Sequence, residues 1–393
     1  MLQGDEGLSR LGVFILLAAI FTAAGCAIVY ELLIGSTSSL FLGGSVEQFS
    51  LTIGFFLFAM GIGAWVSRWI EGNLITRFIQ VENALALIGG SAVSILYTLY
   101  TYTEYFRYGM ILLILTIGAL IGLEIPILTR ILRQYNSLKS ALSNALSLDY
   151  CGSLIAALLF PYVLLPFWGM MYTSVITGLI NWAVGLIVVL VYRKQIGRSE
   201  LKRIYVQVGT VGLFLFSLLF FAQPLVALWE NAMYEDPIVH QEQSPYQSIV
   251  LTKRGDQVRL FLNGHLQFAS VDEFRYHEAL VHPAMVLSNV RERILIIGGG
   301  DGLTAREVLK YLDVETVDLV DLDPAITRLA TRNPYLTALN DNALSRPEVQ
   351  VHHADGFSFL QEARPAYGVI IFDLPDPREE GLAKLYSREG YRL

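Results

Sequence analysis

The chain of 393 residues is 54% hydrophobic, with a formal net charge of −7 from 28 Lys and Arg against 35 Asp and Glu. That length allows two domains. An acidic balance with no basic run in the second half excludes a nucleic-acid interface and favours a cationic small molecule as partner.

Apolar residues crowd the chain before Trp229. Seven stretches reach the roughly 20 apolar residues that a membrane-crossing helix needs: 11–33, 48–70, 81–101, 108–128, 141–165, 171–191 and 205–228. Residues 1–230 therefore read as a multi-pass α-helical transmembrane domain. The first stretch is no cleavable signal, because it runs straight into further spans. Small residues at Gly61, Gly63 and Ala64, and at Gly89, Gly90 and Ser91, would let helices approach closely. Cys26 and Cys151 fall in apolar stretches without metal-ligand spacing and read as buried, inert thiols.

Arg10, Arg68, Arg77, Arg130, Arg133, Lys139, Arg193, Lys194, Arg198, Lys202 and Arg203 fall on the amino-terminal side of the spans, against Arg107 on the other. This asymmetry places the amino-terminal side in the cytoplasm, and seven crossings leave the following domain outside. Glu31, Glu124 and Asp149 lie in or near the spans, the first two close to span ends. Asp149 is the deepest and the strongest candidate for a cation path.

From the boundary at 231–237 the pattern turns to short strands and helices with scattered charge. Residues 231–290 read as a small β-strand module with a helix: strands at 238–241, 247–253, 258–262 and 265–270. Asn263-Gly264 is a two-residue hairpin signal, because both residues tolerate positive φ. A helix is predicted from Asp272, placed as its cap, with Glu273 and Glu278 toward the positive end. Residues 291–393 then alternate strand and helix: strands 294–297, 316–320, 349–353 and 368–372, helices 304–311, 324–332 and 357–362. The expected fold class is thus a multi-pass α-helical membrane domain followed by α/β. The latter is a parallel, doubly wound, Rossmann-like domain of the class I methyltransferase type, with its first four βα units present and its C-terminal part apparently incomplete.

Such sheets bind ligands at the carboxyl ends of their strands. Each of these ends carries an aspartate: Asp301, Asp321, Asp355 and Asp373. The segment ILIIGGGDGLTAREVL puts Asp301 inside a glycine-rich loop that includes Gly298 and Gly300. A loop that cradled phosphate or an amino-acid carboxylate would be spoiled by this charge, whereas a ligand ending in a bare ammonium group would be held. Asp321 lies about 20 residues beyond the loop, where a carboxylate that bonds a ribose diol is expected.

The residues that carry a family resemblance are SPYQSIVL, LFLNGHLQFASVDEFRYHEALVHPAM, ILIIGGGDGLTAREVLK, VDLVDLD, ADGFSFL, VIIFDLPDP and LYSREGY, with YELLIGSTSSLFLGGSVEQFSLTIGFFLFAMGIG in the apolar half. The chain resembles the polyamine aminopropyltransferases, or spermidine synthases, in their membrane-embedded bacterial form. The resemblance implies transfer of an aminopropyl group from decarboxylated S-adenosylmethionine, a co-substrate, to putrescine, giving spermidine and methylthioadenosine, with no permanent cofactor and no metal. It implies that Asp301 binds the donor's terminal amine and borders the acceptor, that Asp321 takes the ribose hydroxyls, and that Asp355 with Gly356 takes the adenine. Gln247 and Gln267 would enclose the donor, and Tyr276 and His277 would line the acceptor side. Asp373 would orient and deprotonate the attacking amine, and Asp376 would hold acceptor nitrogen.

The partners expected are putrescine or a related polyamine, the lipid bilayer and, as the assembly left open, a second copy of the chain. The location expected is the inner cell membrane. An extracytoplasmic enzyme domain conflicts with a donor made in the cytosol. Two other functions stay open: an S-adenosylmethionine-dependent methyltransferase on the same half-fold, and a non-catalytic polyamine-binding or transport protein. Tyr276 and His277 are neighbours on a helix, so they are not expected to face one direction, and His277 reads as the packing or hydrogen-bonding residue of the two.

Overall fold

The computed structural model describes residues 3–133, 137–362, 366–375 and 380–392. The chain divides into two compact units, Met1–Met233 and Tyr234–Leu393.

The first unit is helical: α1 (Gln3–Leu42), α2 (Ser45–Val66), α3 (Leu74–Gly90), α4 (Ala92–Tyr102), α5 (Phe106–Leu132), α6 (Leu138–Leu159), α7 (Leu165–Tyr192), α8 (Arg198–Phe220) and α9 (Ala222–Met233). Among the described residues, five helices are long and apolar enough to cross a membrane, or six if the α3–α4 pair, bent by 41°, counts as one. Two of the seven expected stretches, 141–165 and 171–191, fall within one apolar run, Lys139–Gln195. At about 1.5 Å per residue such a run would extend roughly 85 Å if straight, far beyond a hydrocarbon core of about 30 Å. It is not straight. A π-helical turn at Phe160–Leu164 and a non-helical Gly169 with positive φ (φ 67°, ψ 179°) break it.

Contacts with α1 give the direction of each leg. Gly152 and Ala156 of α6 lie against Phe21 and Gly25, in parallel order, whereas Met170, Thr177 and Tyr192 of α7 meet Thr37, Cys26 and Gly12, in reverse. The chain therefore doubles back at Gly169. The last expected segment is also divided, by a break at Phe221 between α8 and α9.

Small residues set the closest crossings. A Cβ on Gly63 would fall 2.0 Å from the Ala119 carbonyl oxygen, one on Gly152 2.1 Å from that of Phe21, and one on Gly90 3.0 Å from Gly178 Cα. Gly61 has nothing near it, so its place in the small-residue cluster contributes no packing. Cys26 is buried as expected, but Cys151 is exposed, because it sits on the outward face of α6. Glu124 is buried inside the unit.

One end of this unit gathers its basic residues. Arg130 donates to the carbonyls of Ser67 (3.1 Å) and Ile70 (2.9 Å), Asn73 donates to that of Gln195 (3.0 Å), and Arg68 stacks on Trp65 and Trp69. These contacts bring together the segments that carry Arg68, Arg77, Arg130 and Arg193, and Tyr192, next to Arg193, reaches Gly12 near the start of α1. The other end is aromatic: Phe41 packs on Tyr97, Tyr100 and Phe106, and Trp229 of α9 on Tyr97.

The second unit holds two four-stranded sheets among its described residues. β1 (Ile238–Gln243), β2 (Ser248–Arg254), β3 (Gln257–Leu262) and β4 (His265–Ala269) form an antiparallel meander. The β3–β4 turn is Asn263-Gly264, with φ of 50° and 77°, as both positions of such a turn require. α10 (Glu273–Leu287) follows, but Asp272 gives it no side-chain cap, because its backbone lies outside the extended region that aims a cap (φ −143°, ψ 4°).

The remaining elements are β5 (Arg293–Gly298), α11 (Leu303–Val308), β6 (Thr316–Asp321), α12 (Pro324–Arg332), α13 (Pro334–Leu339), β7 (Val349–His353), α14 (Gly356–Glu362), β8 (Val369–Asp373) and α15 (Glu380–Ala383). The sheet is parallel, in the order β7-β6-β5-β8. Ile294, Leu295, Ile296 and Ile297 of the central strand are all at most 1% exposed, as expected of a strand covered on both faces. The strand order reverses at β5, which opens a crevice at the carboxyl ends of β5, β6 and β8.

Candidate active site

The loop after β5 is shaped by its neighbours. Gly298 and Gly299 adopt φ of 86° and 67°, and a Cβ on Gly298 would lie 2.0 Å from the Asp373 carbonyl oxygen. A Cβ on Gly300 would lie 2.4 Å from Asp321 Oδ2, to which the Gly300 amide donates at 3.0 Å. The glycines thus bring β5 against the ends of β6 and β8 and pull three of the four strand-end aspartates to one rim.

Asp373 ends β8. Tyr276 from α10 donates its hydroxyl to Oδ1 at 3.0 Å, and Thr304 of α11 donates to Oδ2 at 2.6 Å. Burial, then the Asp373 charge, raises the Tyr276 hydroxyl pKa, so it keeps its proton and acts as donor. Its side chain is still 50% exposed, so a ligand can reach it. Thr304 is fully buried and holds the other oxygen from below. A carboxylate held at both oxygens has a fixed direction for its remaining lone pairs.

Asp301 lies beside it. His277, Asp301 and Asp373 place one ligand atom each within 4.8 Å of one another. Burial, then the Asp373 charge, pushes the Asp301 carboxyl up to about 6, although His277 and the Leu303 amide (2.9 Å) favour its charged form. His277 Nδ1 sits 2.7 Å from Glu273 Oε2, and Arg306 donates to both Glu273 oxygens. Desolvation opposes a charge on His277, but the bond to Glu273 and the charges of Asp301 and Asp373 outweigh it and raise its pKa. The helix neighbours expected to diverge therefore meet at the same acids, with ring centroids 5.0 Å apart. Tyr276 approaches from the open side and His277 from the buried side.

Asp321 accepts from the amides of Gly300 (3.0 Å) and Asp323 (2.9 Å), and each oxygen keeps a lone pair for a ligand hydroxyl. Gln247 donates to Asp323 Oδ2 at 2.9 Å, as does Ser244 at 2.7 Å, while Asp323 Oδ1 caps α12 through the Ala325 amide. Asp323 thereby ties the meander to the sheet rim. Asp355 is bound by Lys384 (2.6 Å) and Ser358 (3.0 Å), which outweigh desolvation and lower its pKa. Gly356 is closely packed: a Cβ there would meet Ile297 at 2.7 Å. Gln267 donates to the His265 carbonyl at 3.4 Å. Asp376 lies outside the described residues.

Glu273, Thr304, Arg306 and Asp323 were not singled out from the sequence as site residues. Thr304 and Arg306 fall within the quoted glycine-loop segment, Asp323 follows Asp321 by two positions, and Glu273 was read as a helix-end charge. Among the described residues, two clusters could accept a divalent cation: the His277, Asp301 and Asp373 group, and Glu278, His282 and Glu307. In the second, Arg306 and Lys310 already pair with Glu307. The first combines negative charge with an open side, and so suits an ammonium group equally well.

Residues 273–393 match the spermine/spermidine synthase domain. The polyamine aminopropyltransferase of Oceanobacillus iheyensis is 44% identical over 374 residues, covering 94% of this chain and 72% of that protein. The polyamine aminopropyltransferase of Leptospira interrogans is 42% identical over 370 residues, covering 94% and 74%. A solved spermidine synthase from Thermotoga maritima is 33% identical, covers 39% of this chain and 51% of its own, and superposes with a TM-score of 0.36.

Proposed function

The chain belongs to the polyamine aminopropyltransferase family, and from that premise we propose that it transfers the aminopropyl group of decarboxylated S-adenosylmethionine to putrescine. The observation that carries this reading is the Asp301–Asp373 pair at the sheet's switch point, with the second carboxylate aimed by Tyr276 and Thr304. Asp301 holds the donor's ammonium end, and Asp321 takes the ribose hydroxyls through its free lone pairs. Gln247, fixed by Asp323, closes the donor side.

An alkylamine has a pKa near 10, like a lysine, so little of it is free base at neutral pH. Asp373 accepts the amine proton as nitrogen attacks the aminopropyl carbon. The carbon–sulfur bond breaks, its electron pair stays on sulfur, and the sulfonium leaves as a neutral thioether. No general acid is needed. His277, whose pKa the bond to Glu273 raises against desolvation, can take up a positive charge that offsets part of the local negative charge of Asp301 and Asp373. Asp376 is assigned to acceptor nitrogen by family likeness alone, and Asp355 with Gly356 to the adenine, where Lys384 must yield or share the carboxylate.

The helical unit fits a multi-pass membrane domain of the cell membrane: its apolar residues are exposed on outer faces, as with Leu57, Phe58, Leu213 and Phe220, and its basic residues collect at one end. Fusions of a topology reporter after Lys139 and Arg198 are expected to score cytoplasmic, and one after Tyr234 external. A cytoplasmic score at Tyr234 overturns that orientation and removes the conflict with donor supply.

The activity test supplies the purified full chain with decarboxylated S-adenosylmethionine and putrescine. Equal amounts of methylthioadenosine and spermidine are expected. Methyl transfer from intact S-adenosylmethionine supports the methyltransferase instead, and saturable binding without product supports a binding module.

A further inference from the structure

Inside the helical unit, Glu82 of α3 and Glu124 of α5 are 0% and 4% exposed and lie within reach of a hydrogen bond to each other. Among the described residues, no Lys, Arg or His pairs with either. Both oxygens of Glu82 and Oε1 of Glu124 have no hydrogen-bonding partner of defined geometry. Two buried carboxylates without a counterion are costly unless a proton or a cation joins them.

A second observation is independent of the acids. Tyr30 of α1 is fully buried, and its hydroxyl has no partner. Its ring fills the space left by Gly89, where a Cβ would come within 2.5 Å of Cζ, and Gly89 lies two turns from Glu82 on the same face of α3. The phenol is close enough to both glutamates to feel their charge. Asn83 and Asn181 each keep a buried side-chain oxygen unpartnered. Asn181 falls on α7 between Gly178, which touches Gly90, and Gly185, which touches Glu82 and Asn83, so it faces the same turns of α3.

The unsatisfied atoms are almost all acceptors; only the Tyr30 hydroxyl can also donate. A neutral guest would leave the charge of the two carboxylates uncompensated, whereas an ammonium group or a bare cation supplies both the missing charge and a partner for the oxygens. Asp149 of α6, half-buried, is a third carboxylate within electrostatic range of Glu124 and extends the line toward the outer surface.

We propose that the helical unit contains a cation-binding site, separate from the active site, in which Glu82 and Glu124 hold a small monovalent cation with Tyr30, Asn83 and Asn181 as neutral oxygen partners. The guest is either an alkali metal ion or the ammonium end of a small amine, and Asp149 marks its entry.

The full chain in detergent or nanodiscs is titrated with sodium chloride, with methylammonium chloride and with N-methylglucamine chloride as the ionic-strength control, following the melting temperature. Saturable stabilisation by sodium identifies a metal ion, and by methylammonium an amine; the control is expected to produce neither. Glu82→Gln is expected to weaken the half-saturating concentration at least tenfold. Tyr30→Phe, which removes one neutral oxygen and keeps the packing, is expected to weaken it severalfold and serves alone if the Gln variant does not fold. The proposal is overturned if all three salts act alike, or if the folded variants respond as the unaltered protein does.

Discussion

The carboxylates at the sheet rim and those inside the helical unit face opposite conditions. Asp373 accepts from Tyr276 and Thr304, and Asp321 from two backbone amides, so the rim acids are oriented before any ligand arrives. Glu82 and Glu124 are more deeply buried than these half-buried acids and are held by almost nothing. An oriented carboxylate suits a reaction, because geometry fixed in advance need not be organised in the transition state. An unsatisfied one suits a guest that brings the missing charge. The two sets of acids differ most in the donors around them.

The sharpest way to break this comparison is at the best-oriented acid. Asp373→Asn keeps the shape and removes the base, and turnover is expected to fall about a hundredfold or more with donor affinity nearly unchanged. Steady-state rates with calorimetric donor binding check this, and full turnover in the variant would remove Asp373 from the chemistry.

Donor choice tests Asp301. Intact S-adenosylmethionine carries a carboxylate next to its amine, and two unit charges about 4 Å apart interact by roughly 4 kcal/mol at an effective dielectric near 20. Calorimetry is expected to show a preference of about tenfold or more for the decarboxylated donor, shrinking in Asp301→Asn. With its carboxyl at about 6, Asp301 must lose a proton before it can hold the ammonium group. Donor affinity is expected to fall by up to about tenfold for each pH unit below 6. Equal affinity for the two donors would favour the methyltransferase.

Thr304 tests whether orientation itself matters. A hydrogen bond to a charged group is worth about 1.5–3 kcal/mol, so Thr304→Val is expected to lower kcat roughly tenfold, with the donor KM little changed and Thr304→Ser restoring most of the loss. If Val and Ser variants turn over alike, the hydroxyl has no positioning role.

The smallest effect is on stability. A carboxyl raised to about 6 in the folded state, against about 3.9 unfolded, contributes stability below pH 4 and loses it as pH rises through 6. Asp301→Asn is therefore expected to stabilise the ligand-free protein at pH 7.5 by about 1–3 kcal/mol, and to do nothing at pH 3.5. Denaturant titration at the two pH values reads the difference.

Much of the second unit was legible in the amino-acid order. The strands at 316–321 and 349–353 and the helix at 324–332 fall within a residue of expectation, since a parallel sheet leaves runs such as Ile294 to Ile297 that have few other uses. The four aspartates were visible because Rossmann-like folds put strand ends on one side. Thr304 and Glu273 were not, because a threonine in a helix and a glutamate at its start have ordinary local explanations. In the first unit, Glu82 escaped notice for a similar reason: it sits among Gln80, Val81 and Asn83, which give no sign of depth.

By itself the sequence determined the division into an apolar helical part and a nucleotide-type α/β part, and the aspartate in the glycine loop at the end of the first strand, because periodicity and a charge at a fixed loop position are local properties. Tertiary structure alone decided two things: that His277 and Tyr276 converge on the same acids, and that Glu82 meets Glu124. Each depends on which faces of distant elements come together, and that is fixed by close packing at residues such as Gly63, Gly89 and Gly300, whose missing side chains set the approach.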